Sequence, residues 1–187
     1  MTPDLLIDTC IQLDPLAELP RTGWLLRGVR PCESLADHSY GVALVSALLV
    51  DGVRLSGAAV DGERVLRLAL AHDAPEARTG DIPMPAKTAA LDHELSQLEY
   101  SLFCSLLPAS WHPLWAELEA AKSLEARIVR AADKLQLMIK VLVYESQRRG
   151  CLEEFWHNPK NFRDHDVELA SLAFERVCER AGRERPR

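Results

Sequence analysis

Helical periodicity runs along almost the whole chain and constrains its fold more than any other feature. Apolar residues recur three and four positions apart, and no run of alternating β-branched residues indicates a strand. Segments rich in Arg, Gly and Pro interrupt this spacing at about 21–34, 51–63 and 80–87. The predicted helices cover about residues 3–19, 35–50, 64–77, 88–107, 115–122, 124–149 and 165–181. We therefore predict an all-α fold, a single compact bundle of about six or seven helices.

The length of 187 residues suits one compact domain and leaves little room for a second core. We place this domain at residues 1–182 and treat residues 183–187 as a polar C-terminal tail with few reasons to be ordered. The longest apolar stretch, about residues 42–50, is far too short for a membrane span, which takes about 20 residues. We expect no membrane association.

The cysteines and the net charge restrict the compartment and the partners. The five cysteines form no C-x-x-C pair and the N-terminus lacks a signal-peptide pattern, which together favour a reducing cytoplasm. The net charge of -6 argues mildly against a nucleic-acid polymer as the main partner, because binding a phosphate backbone usually needs a basic face. A small anionic substrate needs only a local cation or a metal, so it stays possible.

Two adjacent side chains that can bind a metal lie near the end of a predicted helix. In VLRLALAHDAPEA, His72 continues the apolar face, and Glu76 lies one turn further on that face. Asp73 is rotated by about 100° from His72, so a metal above the helix could contact both. Pro75 cannot donate a backbone hydrogen bond, and the helix should kink or end here. The alternative is a buried histidine that a neighbouring carboxylate satisfies.

Two further candidate ligands lie on other predicted helices. Asp133 follows Arg130 in ARIVRAADKLQLMIKVLVYE, a helix with apolar residues on almost every side. A buried carboxylate there needs a partner, either Arg130 or a divalent metal. His38 lies near the start of its helix, just before a long apolar segment. The predicted buried stripe of the Asp133 helix is Ile128, Ala132, Leu135, Ile139 and Leu142.

Two imidazoles and two carboxylates form a mixed nitrogen and oxygen donor set. Such a set suits a divalent transition metal, Co²⁺, Mn²⁺, Fe²⁺, Ni²⁺ or Zn²⁺, rather than a site selective for thiolates. A metal that accepts six ligands would keep positions for water and a phosphate oxygen, and it would lower the pKa of the bound water.

The order H…HD…D and the text around it resemble a known family. The matching segments are RTGWLLRGV (21–29), ESLADHS (33–39), LALAHDAPEARTGDIP (68–83), EARIVRAADKLQLMIKVLVYE (125–145) and LEEFW (152–156). Together they span roughly residues 19–160 and are similar to the 5'-deoxynucleotidase branch of the HD-domain metal-dependent phosphohydrolases. The resemblance implies an all-α HD domain. It also implies hydrolysis of (deoxy)ribonucleoside 5'-monophosphates to nucleoside and phosphate by attack of a metal-activated water.

The resemblance also implies a role for individual residues. The metal ligands would be His38, His72, Asp73 and Asp133. Glu76 would orient or deprotonate the attacking water and later protonate the leaving 5'-oxygen.

A second group of residues would act around this centre. Asp81 occupies another acidic position near the reaction centre. Substrate binding would fall to Arg21, Trp24 and Arg27, because an Arg suits a phosphate and a Trp offers a wall for a base or sugar. The sequence leaves open which of Arg21 and Arg27 contacts the phosphate.

Two alternatives to a mononucleotidase remain at this point. One is an HD phosphohydrolase that acts on another small nucleotide or phosphate ester. The other is a non-catalytic module that senses a nucleotide or a metal, which predicts loss of a ligand or of the acid/base carboxylate. Both sets are present in the sequence, which favours an enzyme. The resemblance further implies a homodimer.

Overall fold

The computed structural model describes residues 1–83 and 89–186, and most of them lie in helices. The helices are α1 (Pro3–Leu13), α2 (Thr22–Leu25), α3 (Leu35–Leu55), α4 (Gly62–Ala71), α5 (Glu76–Thr79), α6 (Ala89–Leu106), α7 (Pro113–Ala120), α8 (Leu124–Ser146), α9 (Glu153–His157) and α10 (Glu168–Arg180). Turns of 3₁₀ helix lie at Asp14–Ala17, Ala109–Trp111 and Pro159–Phe162. The prediction of an all-α fold is confirmed, and the helix count is slightly higher than predicted.

The start of α3 is held by a reciprocal cap. The Ser34 hydroxyl accepts a hydrogen bond from the Asp37 backbone N–H, and the Asp37 carboxylate accepts one from the Ser34 N–H. Two of the backbone donors that a helix start leaves unpaired are satisfied in this way. The first turn of α3, which carries His38, is therefore fixed by local sequence.

α3 continues to Leu55, five residues beyond the predicted end at Val50. Gly52 is the reason that the sequence suggested a loop there. In the structure a Cβ on Gly52 would overlap the side chain of Leu169, so the glycine permits the close approach of α10 to α3.

The predicted single helix over 64–77 is wrong, because α4 ends at Ala71 and α5 starts at Glu76. The interruption lies where Pro75 predicts it, since proline lacks the donor for another helical hydrogen bond. His72 stands directly at the C-terminal cap of α4. The break therefore places His72 and Asp73 in a turn between two helices.

α8 is the central helix and packs against α3, α4, α7 and α10. The predicted buried stripe holds at Ile128, Ala132 and Leu135 but not at Ile139, which is 38% exposed, and Leu142 is only partly buried. Beyond Leu135 the buried apolar residues are Met138, Val141 and Tyr144, which follow one another at intervals of three residues instead of the predicted three and four. The buried residues of the helix are Ala126, Ile128, Val129, Ala131, Ala132, Leu135, Gln136, Met138, Val141 and Tyr144.

Several short elements appear where the sequence suggests no helix. α2 lies inside the predicted loop 21–34, and α9 with the 3₁₀ turn Pro159–Phe162 lies between the last two predicted helices. One or two helical turns are too short to show a repeating apolar pattern. The end of the predicted loop 80–87 and the predicted helix start at Thr88 lie outside the described residues.

The C-terminal segment contacts the helical body. Arg183 pairs with both carboxylate oxygens of Glu153 at 2.6 Å, and Arg185 donates to the Phe162 carbonyl at 2.6 Å and to Asp164 at 2.9 Å. These contacts supply reasons for order that composition alone did not suggest. Within the described ranges, the helices are all too short or too polar to cross a membrane.

Gly150 lies close to the backbone of Arg27, and a Gly150→Ala variant is expected to have a lower free energy of unfolding. Its φ is +75°, and an added Cβ would lie 2.8 Å from the Arg27 carbonyl oxygen. Left-handed strain alone costs about 1–3 kcal/mol, and the clash with backbone adds to it. Chemical denaturation of both variants measures the loss. Gly57→Ala is the control, because Gly57 has φ +88° with nothing within 4 Å of its Cβ position. Equal losses in both variants would contradict the packing role.

Candidate metal centre

Four side chains from three parts of the fold meet at one point. His38 from α3 is fully buried, and its Nε2 lies 3.4 Å from Asp133 Oδ1 on α8 and 3.5 Å from Asp73 Oδ2. His72 Nε2 lies 3.2 Å from Asp73 Oδ2 and 3.5 Å from His38 Nε2. Ligand atoms of His38, His72 and Asp133 all lie within 4.8 Å of one another, close enough to hold one metal ion.

Both imidazole rings turn the same nitrogen toward this point. His72 Nδ1 lies 2.7 Å from the Ala69 carbonyl oxygen, which can only accept a hydrogen bond. Nδ1 of His72 therefore carries the proton, and Nε2 keeps its lone pair for a ligand. His38 Nδ1 lies 2.7 Å from Gln136 Oε1, which accepts its hydrogen bond, so the lone pair of His38 is also on Nε2. The donor set of two imidazole nitrogens and two carboxylates fits a divalent metal in both chemistry and direction.

The electrostatics of the cluster favour a positive charge at its centre. Burial alone would lower the pKa of His72, but the carboxylates of Asp73 and Asp133 outweigh it and raise that pKa above its usual value. Burial opposes ionisation of Asp73, yet His72, His38 and Arg21 hold its pKa well below the usual range. A proton on the imidazole and a bound metal would stabilise these carboxylates in the same direction.

Asp133 has a different cationic neighbour from the one that the sequence suggested. Lys134 Nζ lies 2.9 Å from Asp133 Oδ2, whereas Arg130 donates to the Leu118 carbonyl and pairs with Glu119. Burial alone would raise the pKa of Asp133. Lys134 and the two histidines outweigh burial and hold that pKa well below its usual value. Lys134 was not among the predicted site residues.

Arg21 reaches into the acidic side of the cluster. Its Nη1 lies 3.4 Å from Asp73 Oδ2, 3.4 Å from Asp81 Oδ1 and 3.6 Å from Glu76 Oε2. Burial alone would lower the pKa of Arg21. These carboxylates outweigh burial and raise that pKa above its usual value, so the guanidinium stays charged. Asp81 also accepts a hydrogen bond from the Gly23 N–H at 3.3 Å, which ties it to the start of α2. The structure thus brings Glu76 and Asp81 together beside the four candidate ligands.

Arg27 and Trp24 lie further from the centre. Arg27 pairs with Glu154 and its guanidinium stands 5.6 Å from the Phe155 ring centroid. Trp24 is 1% exposed, and its indole N–H donates to Glu33 at 2.8 Å. The indole ring packs against Phe155 with centroids 5.0 Å apart. Both residues border the cavity described next, and their roles in binding stay predictions.

A cavity of about 540 Å³ opens beside the candidate ligands. This volume lies in the range of small-molecule sites, about 300–1,000 Å³. Its lining combines carboxylates, cationic side chains, apolar residues and two asparagine amides. The lining residues are Arg21, Gly23, Trp24, Arg27, Asp73, Glu76, Asp81, Ile82, Pro83, Arg130, Asp133, Lys134, Leu137, Glu154, Phe155, Asn158 and Asn161.

Comparison with known proteins decides the family. Residues 13–169 match the family model described as HD domain. The chain belongs to the HD-domain family. The 5'-deoxynucleotidase HDDC2 of Xenopus laevis is 33% identical to this HD domain over 170 residues, covering 86% of this chain and 81% of the relative. The human 5'-deoxynucleotidase HDDC2 is 30% identical over 174 residues, covering 89% and 81%.

A solved structure shares the same architecture. A conserved hypothetical protein from Pyrococcus furiosus superimposes on this HD domain with a TM-score of 0.80 at 31% identity. The match covers 94% of this chain and 99% of that chain. The resemblance to the 5'-deoxynucleotidase branch of the family, which the sequence motifs suggested, is confirmed.

Sequence reasoning missed three polar residues of this HD domain that the structure places at the site. Lys134 follows Asp133 and lines the cavity, while Gln136 and Glu33 form hydrogen bonds behind His38. A buried polar residue within the apolar run of α8 was the available signal for Gln136, since such a group needs a partner. No comparable signal marked Glu33, because its contacts with Gln136 and Tyr144 lie more than one hundred residues away in sequence and its contact with Trp24 crosses a predicted loop.

Proposed function

We propose that this HD domain is a metal-dependent phosphomonoesterase that hydrolyses (deoxy)ribonucleoside 5'-monophosphates to nucleoside and phosphate. The observation that carries the proposal is the convergence of the imidazole Nε2 atoms of His38 and His72 with the carboxylates of Asp133 and Asp73, beside a cavity in the size range of small-molecule sites. The names of the relatives, 5'-deoxynucleotidases at about 30% identity, support the choice of substrate.

The residues that would hold the metal are His38, His72, Asp73 and Asp133. Their nitrogen and oxygen donors leave Co²⁺, Mn²⁺, Fe²⁺, Ni²⁺ and Zn²⁺ as the proposed ions. The chemistry that such an ion supplies when bound is polarisation of a phosphoryl oxygen and a lower pKa for water.

Glu76 is the proposed general base and acid. Its carboxylate stands beside the ligand Asp73, within 3.6 Å of Arg21, and lines the cavity. It would take a proton from water as the water oxygen bonds to phosphorus. The bond from phosphorus to the 5'-oxygen then breaks, and Glu76 returns the proton to that oxygen. Asp81 is proposed to act beside it by holding Arg21 in place, since it contacts both Arg21 and the Gly23 N–H.

Arg21 and Lys134 are the proposed phosphate contacts. Both line the cavity and lie within 3.5 Å of a candidate ligand, so a phosphate at the metal would be within their reach. Arg27 is committed to Glu154 at the cavity edge, which favours Arg21 over Arg27 for this role. Arg27 and Trp24 are proposed to shape the wall along which the nucleoside lies.

Lys134→Ala is expected to lower kcat/KM by about tenfold, mainly through a higher KM. A hydrogen bond to a charged group contributes about 1.5–3 kcal/mol, and solvent at this half-buried side chain reduces it toward the lower value. Steady-state kinetics with a 5'-mononucleotide measure the change, with bound metal determined in parallel. Lys122→Ala, which removes the same charge from an exposed position, should leave KM unchanged. An unchanged KM in Lys134→Ala would remove Lys134 from phosphate binding.

The substrate proposal is tested by phosphate release from a panel with each of the five metals. The panel contains ribo- and deoxyribonucleoside 5'-monophosphates, 3'-monophosphates and 5'-triphosphates. We expect turnover to be confined to the 5'-monophosphates. Preference for a triphosphate or another ester would favour the alternative phosphohydrolase. Binding of metal and nucleotide without turnover under every metal would favour a sensing module.

We also propose a homodimer in the cytoplasm, with no membrane and no nucleic-acid polymer as partner. The family resemblance supports the dimer, and so does an exposed apolar stripe on α3 formed by Tyr40, Leu44 and Leu48. One chain has a mass of 20.9 kDa, and light scattering after size exclusion should give twice that mass. Leu44→Glu should shift the dimer toward monomer.

A further inference from the structure

Glu33 lies behind His38 as a buried carboxylate with a partner on each oxygen. Its Oε1 accepts a hydrogen bond from the Trp24 indole at 2.8 Å, and its Oε2 accepts one from the Gln136 amide at 3.0 Å. Lys140 Nζ stands 3.5 Å from Oε2 and supplies a nearby positive charge. A carboxylate buried in this way must be compensated by donors, and these three groups provide them.

The hydrogen bonds from Glu33 through Gln136 determine which ring nitrogen of His38 carries the proton. An ionised carboxylate only accepts, so Gln136 must turn its amide nitrogen toward Glu33. Gln136 Oε1 then faces His38 Nδ1, 2.7 Å away, and that nitrogen must donate. The lone pair of His38 therefore lies on Nε2, the atom that faces Asp73 and Asp133.

The same carboxylate also holds a wall of the substrate cavity. Trp24 lines the cavity and its only polar atom on the side chain is the indole N–H that Glu33 accepts. The Glu33 backbone N–H in turn donates to the Tyr144 hydroxyl at 2.9 Å, and the Tyr144 ring packs edge-on against Trp24 with centroids 5.2 Å apart. One residue thus contacts both the support of a metal ligand and the cavity wall.

We propose that Glu33 is a positioning residue that holds His38 in its metal-binding tautomer through Gln136 and anchors Trp24 in the cavity wall. The inference rests on the proposed function for its link to catalysis, but its effect on the metal site is separate. Partners that orient a metal-bound histidine typically change metal affinity by about 10–100-fold when they are replaced.

The Glu33→Gln substitution tests the polarity with almost no change of shape. An amide presents one oxygen and one NH₂ group, so either Trp24 or Gln136 meets a second donor. If Gln136 rotates, its NH₂ group faces His38 Nδ1, and the imidazole proton moves to Nε2, the nitrogen required for the metal. Gln136→Met removes the connection altogether and is the second variant.

The measurements are calorimetric titration of metal-stripped protein with Zn²⁺ and the ¹⁵N spectrum of the histidine rings. We expect Glu33→Gln and Gln136→Met to bind Zn²⁺ about 10–100-fold more weakly than the wild type. The wild type without metal should show His38 protonated on Nδ1, and Glu33→Gln should shift the proton toward Nε2. Tyr144→Phe is the control, because it removes the hydroxyl beside Glu33 and leaves the carboxylate contacts intact.

Wild-type affinity and an unchanged His38 tautomer in both variants would overturn the inference. Equal weakening in Tyr144→Phe would also overturn it, since the effect would then come from general loosening of the buried region. A wild type that binds no Zn²⁺ would do the same. Neither readout uses substrate, so a protein that shows these effects but hydrolyses no 5'-mononucleotide would contradict the proposed function alone.

Discussion

Glu76→Gln is expected to lower kcat by about 10²–10⁴-fold while bound metal stays at the wild-type level. A positioned acid or base contributes an acceleration of this size, and an amide can neither accept the proton of water nor return it. Glu76 starts α5 directly after the break at Pro75, and its Oε2 lies 3.6 Å from the same Arg21 Nη1 that stands 3.4 Å from Asp73 Oδ2. Single-turnover phosphate release and metal analysis on the same sample measure the two quantities.

Glu119→Gln is the matched control for this experiment. It makes the same change of charge on α7, where Glu119 pairs with Arg130. We expect its kcat to stay within about twofold of the wild type, because an exposed ion pair contributes little to stability and Glu119 is not among the residues that line the 540 Å³ cavity. Loss of the metal in Glu76→Gln would make Glu76 a ligand, and a wild-type kcat would remove it from the proton transfer.

Asp133→Asn is expected to remove tight metal binding and to lower kcat/KM by at least about 10³-fold. A metal supplies several kcal/mol of transition-state stabilisation, and each 1.36 kcal/mol is a factor of ten. The carboxylate stands 3.4 Å from His38 Nε2 on the central helix α8, and an asparagine there keeps the shape but loses the charge that a divalent metal would bind. Metal content after dialysis and phosphate release are the measurements.

The comparison variant is Asp166→Asn. Asp166 has a side chain 92% exposed and an ion pair with Arg127 at 3.8 Å, so the loss of its charge should change neither metal content nor rate. Full turnover in Asp133→Asn would contradict the assignment of Asp133. Equal losses in both variants would point to a general effect of net charge rather than a ligand.

The parts of the site that follow from local sequence could be predicted with fair detail. His72 continues an apolar helical face that proves buried at Val65 and Ala69, and Pro75 indicates the break beside it. Asp133 lies in a run so apolar that its carboxylate requires a partner. His38 depended on the family resemblance, because one histidine at a helix start is compatible with many roles.

Other features depend on distance in space rather than on spacing along the chain. Glu33 and Gln136 are 103 residues apart, and only the packing of α3 against α8 shows that they meet. Lys134 was missed because its neighbour Asp133 was paired with Arg130, one helical turn earlier. The exposed Ile139 shows a related point, since periodicity gives the face of a helix but not the depth to which each residue is covered.

The most direct test of the central claim is phosphate release from a deoxyribonucleoside 5'-monophosphate by metal-stripped protein, before and after one divalent metal is restored. We predict no release before addition, and full activity at one metal per chain in the wild type. His72→Ala should stay inactive at the same metal concentration. Release by the stripped wild type, or restored release by His72→Ala, would contradict a metal-dependent phosphomonoesterase centred on these residues.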